Sequence, residues 1–516
     1  MQTQKEYLSG REISALRCES LGDYSLPDYN GDVKKVLAVK AKVFPTGKFV
    51  GDDLLEFSGS IGYDVVYLDS ENTVTHAEFT TDYDGAVRIN SETYVDSDIA
   101  TYVSSCNLRL VGPRKLSVKT LLDNDVRITE SKRYDIPGDA FVEMEPELST
   151  STVKVLSHHF ARGESREYNE EILCIDGAIS DEVEILLNDI EFIADSVEKL
   201  DGKIGVKGYY KTLLLYRNSD SAPQVVTKEI PVDDAIEFDG AVSIDSVDIR
   251  AEITSLKGRV EPTENGVSLV VSFSSLPVVC GVKNCELEIV SDAYLKECGT
   301  DNEYSEFGYT EHICTESSED KFEARVPLSE LGVEEVNDII WCEGVPRVEK
   351  CDFNGKSVEI IGEIKFSAIA CQVNEDGNKL FCPIKINAPF TQNVNVSCQM
   401  NENIHLNCHL DCLECKIEVD SNHALASCVL STHVTVNSQK RQRCLGSSYL
   451  TNEEYSRDES IVTVYYPDRS ESLFDIAKKF HTSVSSIAES NRLTQAVFAS
   501  SLVPLESFEI KKLIIK

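Results

Sequence analysis

The chain repeats itself about every 150 residues, and that period constrains the fold more than any other feature. Three stretches carry one short pattern: "DVKKVL" (32–37), "DEVEILL" (181–187) and "EEVNDII" (334–340). In each, an acidic residue precedes apolar residues at i, i+3 and i+4: Val33, Val36 and Leu37; Val183, Leu186 and Leu187; Val336, Ile339 and Ile340. That spacing predicts a short helical turn with one apolar face, its acidic residue at the positive N-terminal end. An alternating stretch follows each: "LLEFSGSIGYDVVYL" (54–68), "KIGVKGYYKTLLLY" (203–216) and "SVEIIGEIKFSAIA" (357–370). Alternation reads as a half-buried strand. Each strand holds a glycine, Gly59, Gly208 and Gly362, lying 26, 25 and 26 residues after Val33, Val183 and Val336. A glycine inside a strand predicts a bulge or a close backbone approach. Turn-rich segments come next ("DSENT", "RNSDSAP" and "NEDGNK"), then strands containing "RKLSVKTLL", "NGVSLVVSF" and "HALASCVLS".

The expected organisation is mainly β: three β-rich modules at 1–140, 141–294 and 295–436, then a small α+β domain of βααβ order at 461–516. Polar stretches between copies have room for a further strand, as in "VKVLSHHFA". Residues 437–460 lack periodicity and read as a linker. Repeated modules generally supply surface, whereas an active site is built once.

Acidic residues number 88 against 50 basic ones, a net charge of −38. Such a chain repels phosphates, so nucleic acid and anionic membrane surfaces are unexpected partners. Residues 459–516 hold seven basic and seven acidic residues, so the imbalance belongs to the repeats. "MQTQKEYLSGREISAL" has no apolar core of a secretory signal, and no run approaches the ~18 apolar residues of a spanning helix. The 17 cysteines are then expected as reduced thiols in a cytosol. Their placement is uneven: Cys18, Cys106 and Cys174 precede residue 280, and fourteen fall between Cys280 and Cys444.

"NCHLDCLEC" supplies Cys408, His409, Cys412 and Cys415, residue types that bind zinc. On a strand, Cys408 and Cys412 share one face while His409 and Cys415 share the other, so the four converge only around a bend. Cys398 and Cys428 are further candidates. Small buried thiols are the commoner outcome, and neither metal nor cofactor is expected. Catalytic signatures are equally sparse. "HTS" (481–483) reads as helix capping, and "SHHFARGE" (157–164) has no acidic or thiol partner at a recognisable spacing.

Near the C-terminus, "SLFDIAKKFHTSVSSIAESN" (472–491) reads as two short helices. Ser472 and Asp475 form a capping-box pattern, and Thr482 or Ser483 caps the second helix. "IVTVYY" and "IKKLIIK" flank them as strands. This segment resembles the LysM domain. Ser472 and Leu473 match its turn, Ile476, Ala477, Lys478, Lys479 and Phe480 its first helix, and Asn491 the end of its second. The resemblance implies a groove for N-acetylglucosamine polymers between Ser470, Glu471, Ser472, Leu473 and Phe474 on one side and Asn491, Arg492 and Leu493 on the other. The usual glycine of that turn is Ser470 here, and a Cβ crowds a turn that glycine permits. Glu471 and Phe474 likewise replace the usual Asp and a common Trp.

"SLPDYNGDVKKVLAVKAKV" resembles the opening of the SPOCS domain through Leu26, Pro27, Asp28, Tyr29, Asp32, Val33 and Leu37. SPOCS-like repeats followed by one LysM domain resemble the spore coat morphogenetic proteins of clostridia. The resemblance implies a non-enzymatic scaffold of sporulation, an adaptor in the mother-cell cytoplasm at the forespore surface. Its LysM loops and the helix face carrying Lys478 and Lys479 would bind the coat basement-layer ATPase. Its repeats would meet other coat proteins or a second copy of the chain. Late oxidation of coat cysteines is a further implication. The alternative is a peptidoglycan-binding cell-wall protein, and a third reading is a wall hydrolase targeted by its LysM domain.

Overall fold

The computed structural model describes residues 4–28, 30–135, 144–218, 221–333, 335–374, 377–396, 403–455, 462–495, 497, 502–508 and 510–516. Tyr29 and Cys398, singled out above, lie outside them. The first copy contains β1 (Gln4–Ser25), β2 (Val33–Val50), β3 (Leu54–Asp69), β4 (Val74–Arg88), β5 (Tyr94–Gly112) and β6 (Lys115–Asp135). The second contains β7 (Glu147–Arg162), β8 (Arg166–Asp176), β9 (Val183–Leu200), β10 (Lys203–Asn218), β11 (Gln224–Glu237), β12 (Ser246–Pro262) and β13 (Gly266–Tyr294). The third contains β14 (Cys298–Pro327), β15 (Asp338–Phe353), β16 (Ser357–Val373), β17 (Lys379–Asn395), β18 (Ile404–Asp420) and β19 (His423–Glu454).

Each copy builds two antiparallel sheets. The inner strands of one run in sequence order, β2-β3-β4, β9-β10-β11 and β15-β16-β17. The other joins the ends of the copy, as β1-β6-β5 and β14-β19-β18; in copy two β7 and β8 share the long strand β13 with β12. The two sheets of a copy enclose an apolar core.

The apolar residues of the i, i+3, i+4 motifs are not helical, although Ser180–Glu182 form a 3-10 turn just before Val183. Val33 and Val183 open strands, and Ile339 and Ile340 lie near the start of β15. A β-bulge explains the misleading spacing. The register shifts by one residue between Val36 and Ala38, between Ile185 and Leu187, and between Ile339 and Trp341. An extra residue resets the two-residue alternation, so inward positions fall three and four apart.

The three glycines mark a second bulge at a matching place. Gly59 pairs with Pro45, Gly208 with Ala194 and Gly362 with Val348, each beside a register shift. A Cβ would stand 2.5 Å from the Phe44 carbonyl oxygen at 59, 2.1 Å from that of Ile193 at 208 and 2.2 Å from that of Arg347 at 362. The bulged strand thus presses its carbonyl into space that only glycine leaves open.

The stretch 437–460 is not a linker through its first part. Asn437–Glu454 continues β19 and pairs with β14 as far as Cys298 opposite Glu454. Several of its inward residues are polar and hydrogen-bonded instead of apolar. Ser448 donates to Asn302 at 2.7 Å, and Asn437 donates to Glu12 at 2.8 Å. Binary patterning does not register a strand of that kind.

The three copies meet at equivalent residues. Leu37, Ala38, Val66, Leu68 and Val74 of copy one join Leu186, Leu187 and Leu215 of copy two and Trp341 and Ile369 of copy three in one buried cluster. This covers the second face of β3, so its alternation gives way to continuous burial from Ile61 to Leu68. Beyond the cluster, Lys40 reaches Asp189 at 2.7 Å and Glu343 at 2.5 Å, one side chain from each copy. A second polar junction sets His158 Nε2 2.9 Å from Glu12, which also accepts from Asn437 at 2.8 Å.

Candidate functional site

The C-terminal unit comprises β20 (Thr463–Tyr465), α1 (Leu473–Lys479), α2 (Val484–Asn491) and β21 (Leu513–Ile515), with β20 and β21 paired. Ser472 starts α1 with a full capping box: its hydroxyl accepts from the Asp475 N–H, and its own N–H donates to the Asp475 carboxylate at 2.9 Å. Ser483 caps α2 by accepting from the Ser486 N–H. Leu473, Phe474, Ile476, Ile487, Leu505 and Leu513 are buried in a core of the unit's own.

Most residues expected to line the groove serve this unit internally. Asn491 donates to the Ile514 carbonyl and accepts from the Ile514 N–H, both at 2.6 Å, which ties α2 to β21. Glu471 accepts from the Tyr465 hydroxyl at 2.8 Å, the Asp468 N–H at 2.9 Å and Lys479 at 3.2 Å. Partial burial opposes its charge, but those donors hold its carboxyl below the usual range. Leu473 and Phe474 are buried, and Leu493 packs partly against the same core. Ser470 and Arg492 remain exposed. Arg492 holds the left-handed C-cap of α2 at φ 53°, whereas Ser470 is not among the left-handed residues described. The turn therefore takes a Cβ at 470 without backbone strain.

The unit is also seated on the body. Lys478 pairs with Asp292 at 2.6 Å. The buried Tyr294 hydroxyl donates to the Thr482 carbonyl at 2.6 Å, and its ring meets Phe474 edge-on at 5.2 Å. His481 stacks on Tyr455 at 3.5 Å. Of the two lysines on the helix, one is thus spent on an internal contact. The other, Lys479, stays exposed beside Glu471 and Tyr465. The turn 466–470 keeps a free face beside exposed Leu502 and Val503, which the Ser472–Pro504 bridge brings alongside.

The body holds a cavity of about 1540 Å³ between the copies. Lys40, Asp189, Glu191, Lys211, Trp341 and Glu343 are among its lining residues. Burial first, then the nearby Asp411 and Asp189 carboxylates, push Glu191 up to about 7. Sequence reading missed this space because no copy contains it. The available signal was positional: Lys40, Asp189 and Glu343 stand seven, six and seven residues after the first valine of each repeat motif.

Of the four zinc candidates, His409 parts from the three cysteines. His409 turns to Asp411 at 3.1 Å and packs on Tyr102. Cys408, Cys412 and Cys415 instead all pack on the core of copy three. The expected alternation fails because a bulge between Cys412 and Glu414 brings Cys415 to the face of Cys412. Cys428 lies directly opposite Cys415. Among the described residues, no group of three His, Cys, Asp or Glu side chains is arranged to hold a metal ion. The chain matches no known protein-family model and no curated protein.

Proposed function

We propose that the chain is a non-enzymatic adaptor of spore coat assembly, with SPOCS-like repeats as its body and a LysM-like unit at its C-terminus. The observation that carries this reading is the division of labour between the two. Three sheets of the body end in the strands β4, β11 and β17, and in this reading other coat components or a second copy add to those edges. The terminal unit closes its own core and leaves the turn 466–470, Arg492, Leu502 and Val503 free at one end. That surface is the proposed dock for the coat basement-layer ATPase, at the forespore surface in the mother-cell cytoplasm.

The relaxed backbone at Ser470 favours a second reading, in which the same groove binds an N-acetylglucosamine polymer of a cell wall. The full chain is to be assayed against the purified ATPase and against peptidoglycan, with Arg492→Glu as the interface variant. Retention on the ATPase that Arg492→Glu weakens supports the adaptor, as does loss of forespore localisation on removing residues 459–516. Retention on peptidoglycan alone transfers the function to the wall, and normal localisation of the truncated chain sinks the adaptor reading.

A further inference from the structure

The uneven cysteines have a structural address. In each copy the two sheets face one another along a seam, β2 against β5, β9 against β12 and β15 against β18. Register identifies equivalent seam positions. Val39, Asn188 and Cys342 pair with the residues six beyond Gly59, Gly208 and Gly362. Cys106, Gly258 and Cys415 each pair with the sixth residue of the last strand of their copy: Thr120, Val271 and Cys428. Thus one crossing of the seam is Val39 with Cys106 in copy one, Asn188 with Gly258 in copy two, and cysteine with cysteine only in copy three.

A second crossing in copy three is also cysteine on cysteine. The Cys342 thiol lies within hydrogen-bonding reach of the Cys415 thiol and 3.3 Å from the Cys415 carbonyl oxygen. The Cys351 thiol lies within the same reach of the Cys408 thiol. Both pairs join β15 to β18, nine residues apart on one strand and seven on the other. Gly344 leaves the space, since a Cβ there would stand 3.1 Å from Cys412 Sγ and 3.4 Å from Cys415 Sγ. Cys342, Cys408, Cys412 and Cys415 line the cavity between the copies, so a small molecule has a route to them.

We propose that this seam is an oxidation site, at which Cys342–Cys415 and Cys351–Cys408 close as two disulfides between the sheets of copy three. The co-substrate is a small symmetrical disulfide, R–S–S–R. The Cys342 thiolate attacks one of its sulfurs, forms a mixed disulfide and expels R–S⁻. The Cys415 thiolate then attacks the Cys342 sulfur and expels the second R–S⁻. The two expelled thiolates take up the two protons that the cysteines lost. The protein gives up two electrons for each bond, and R–S–S–R is reduced to two R–SH. Hydrogen bonds from Cys415 and Cys408 draw the Cys342 and Cys351 thiols below their usual range, and those from Cys415 and Cys428 do the same for Cys412, the competing nucleophile. Copies one and two keep the same architecture without these pairs, so the fold does not depend on them.

The test exposes the reduced full-length protein to oxidised glutathione, blocks free thiols with N-ethylmaleimide and maps peptides by mass spectrometry. The expected products are the two named cross-links, each lighter by two hydrogens. They should bring a melting temperature several degrees higher, which dithiothreitol reverses. A Cys342→Ser, Cys351→Ser double variant should lose both the cross-links and the gain. Circular dichroism of its reduced form shows whether it folds, and wild-type mapping decides the matter in either case. The proposal is overturned if the four cysteines are recovered alkylated, if Cys412 pairs with Cys415 or Cys428 instead, or if purified protein holds stoichiometric zinc that shields them.

Discussion

At the centre of the body, side chains from three copies share one buried cluster and one charged triad. At its edge, the C-terminal unit closes its own core and meets the body through Lys478, Tyr294, Phe474 and the His481–Tyr455 stack. The first arrangement makes three copies depend on each other, because each buries part of its apolar surface only against its neighbours. The second builds a small core from the unit's own helices and strands, to which the body adds Tyr294. At about 55 residues such a unit is marginal on its own, and the insertion of Tyr294 into its core supplements it.

Substitutions can break or sharpen this contrast. Trp341 is 4% exposed in the shared cluster. Trp341→Ala should cost about 3–5 kcal/mol and shift unfolding of all three copies together in calorimetry. A shift confined to one part of the endotherm would mean the copies do not share a core. Lys40→Ala leaves Asp189 and Glu343 facing each other without their cation, at a cost of about 3 kcal/mol in denaturant titrations. If adding Asp189→Asn and Glu343→Gln to that variant restores little stability, like-charge repulsion is not the cause.

Glu191 gives the body a pH signature. Its carboxyl titrates at about 7 in the fold against an ordinary 4.5. Below 4.5 it is protonated in both states and costs nothing. Stability then falls as pH rises through 7, because the folded state holds the proton more tightly. Glu191→Gln should match the wild type below pH 4.5 and exceed it by about 3 kcal/mol above pH 7. Identical pH profiles for the two would remove Glu191 from the account.

The smallest effect belongs to the edge. Tyr294→Phe keeps the ring contact with Phe474 and removes the hydrogen bond to the Thr482 carbonyl, at about 1 kcal/mol. Limited proteolysis of the terminal unit should accelerate while the body's transition stays in place. A matching loss in the body would show that the terminal unit is part of one cooperative structure.

The reach of the sequence differed between the same two regions. Caps at Ser472 and Ser483 were legible because capping is decided within four residues. The repeat glycines were legible as bulge sites because only backbone crowding asks for glycine inside a strand. The motifs at 33–37, 183–187 and 336–340 were misread because a bulge imitates helical spacing, and 437–454 because its strand is inwardly polar. His158 found its carboxylate in Glu12, 146 residues away, where no spacing rule reaches.

By itself, then, the sequence determined the repeat, the strand-rich class, the glycine-marked bulges and the capped helix pair, all set by local backbone and side-chain preferences. Only the tertiary structure decided that Lys40, Asp189 and Glu343 form one triad, that Lys478 is spent on Asp292, and that four thiols face each other across a seam. Those partners lie tens to hundreds of residues apart, and their meeting depends on how sheets and copies pack.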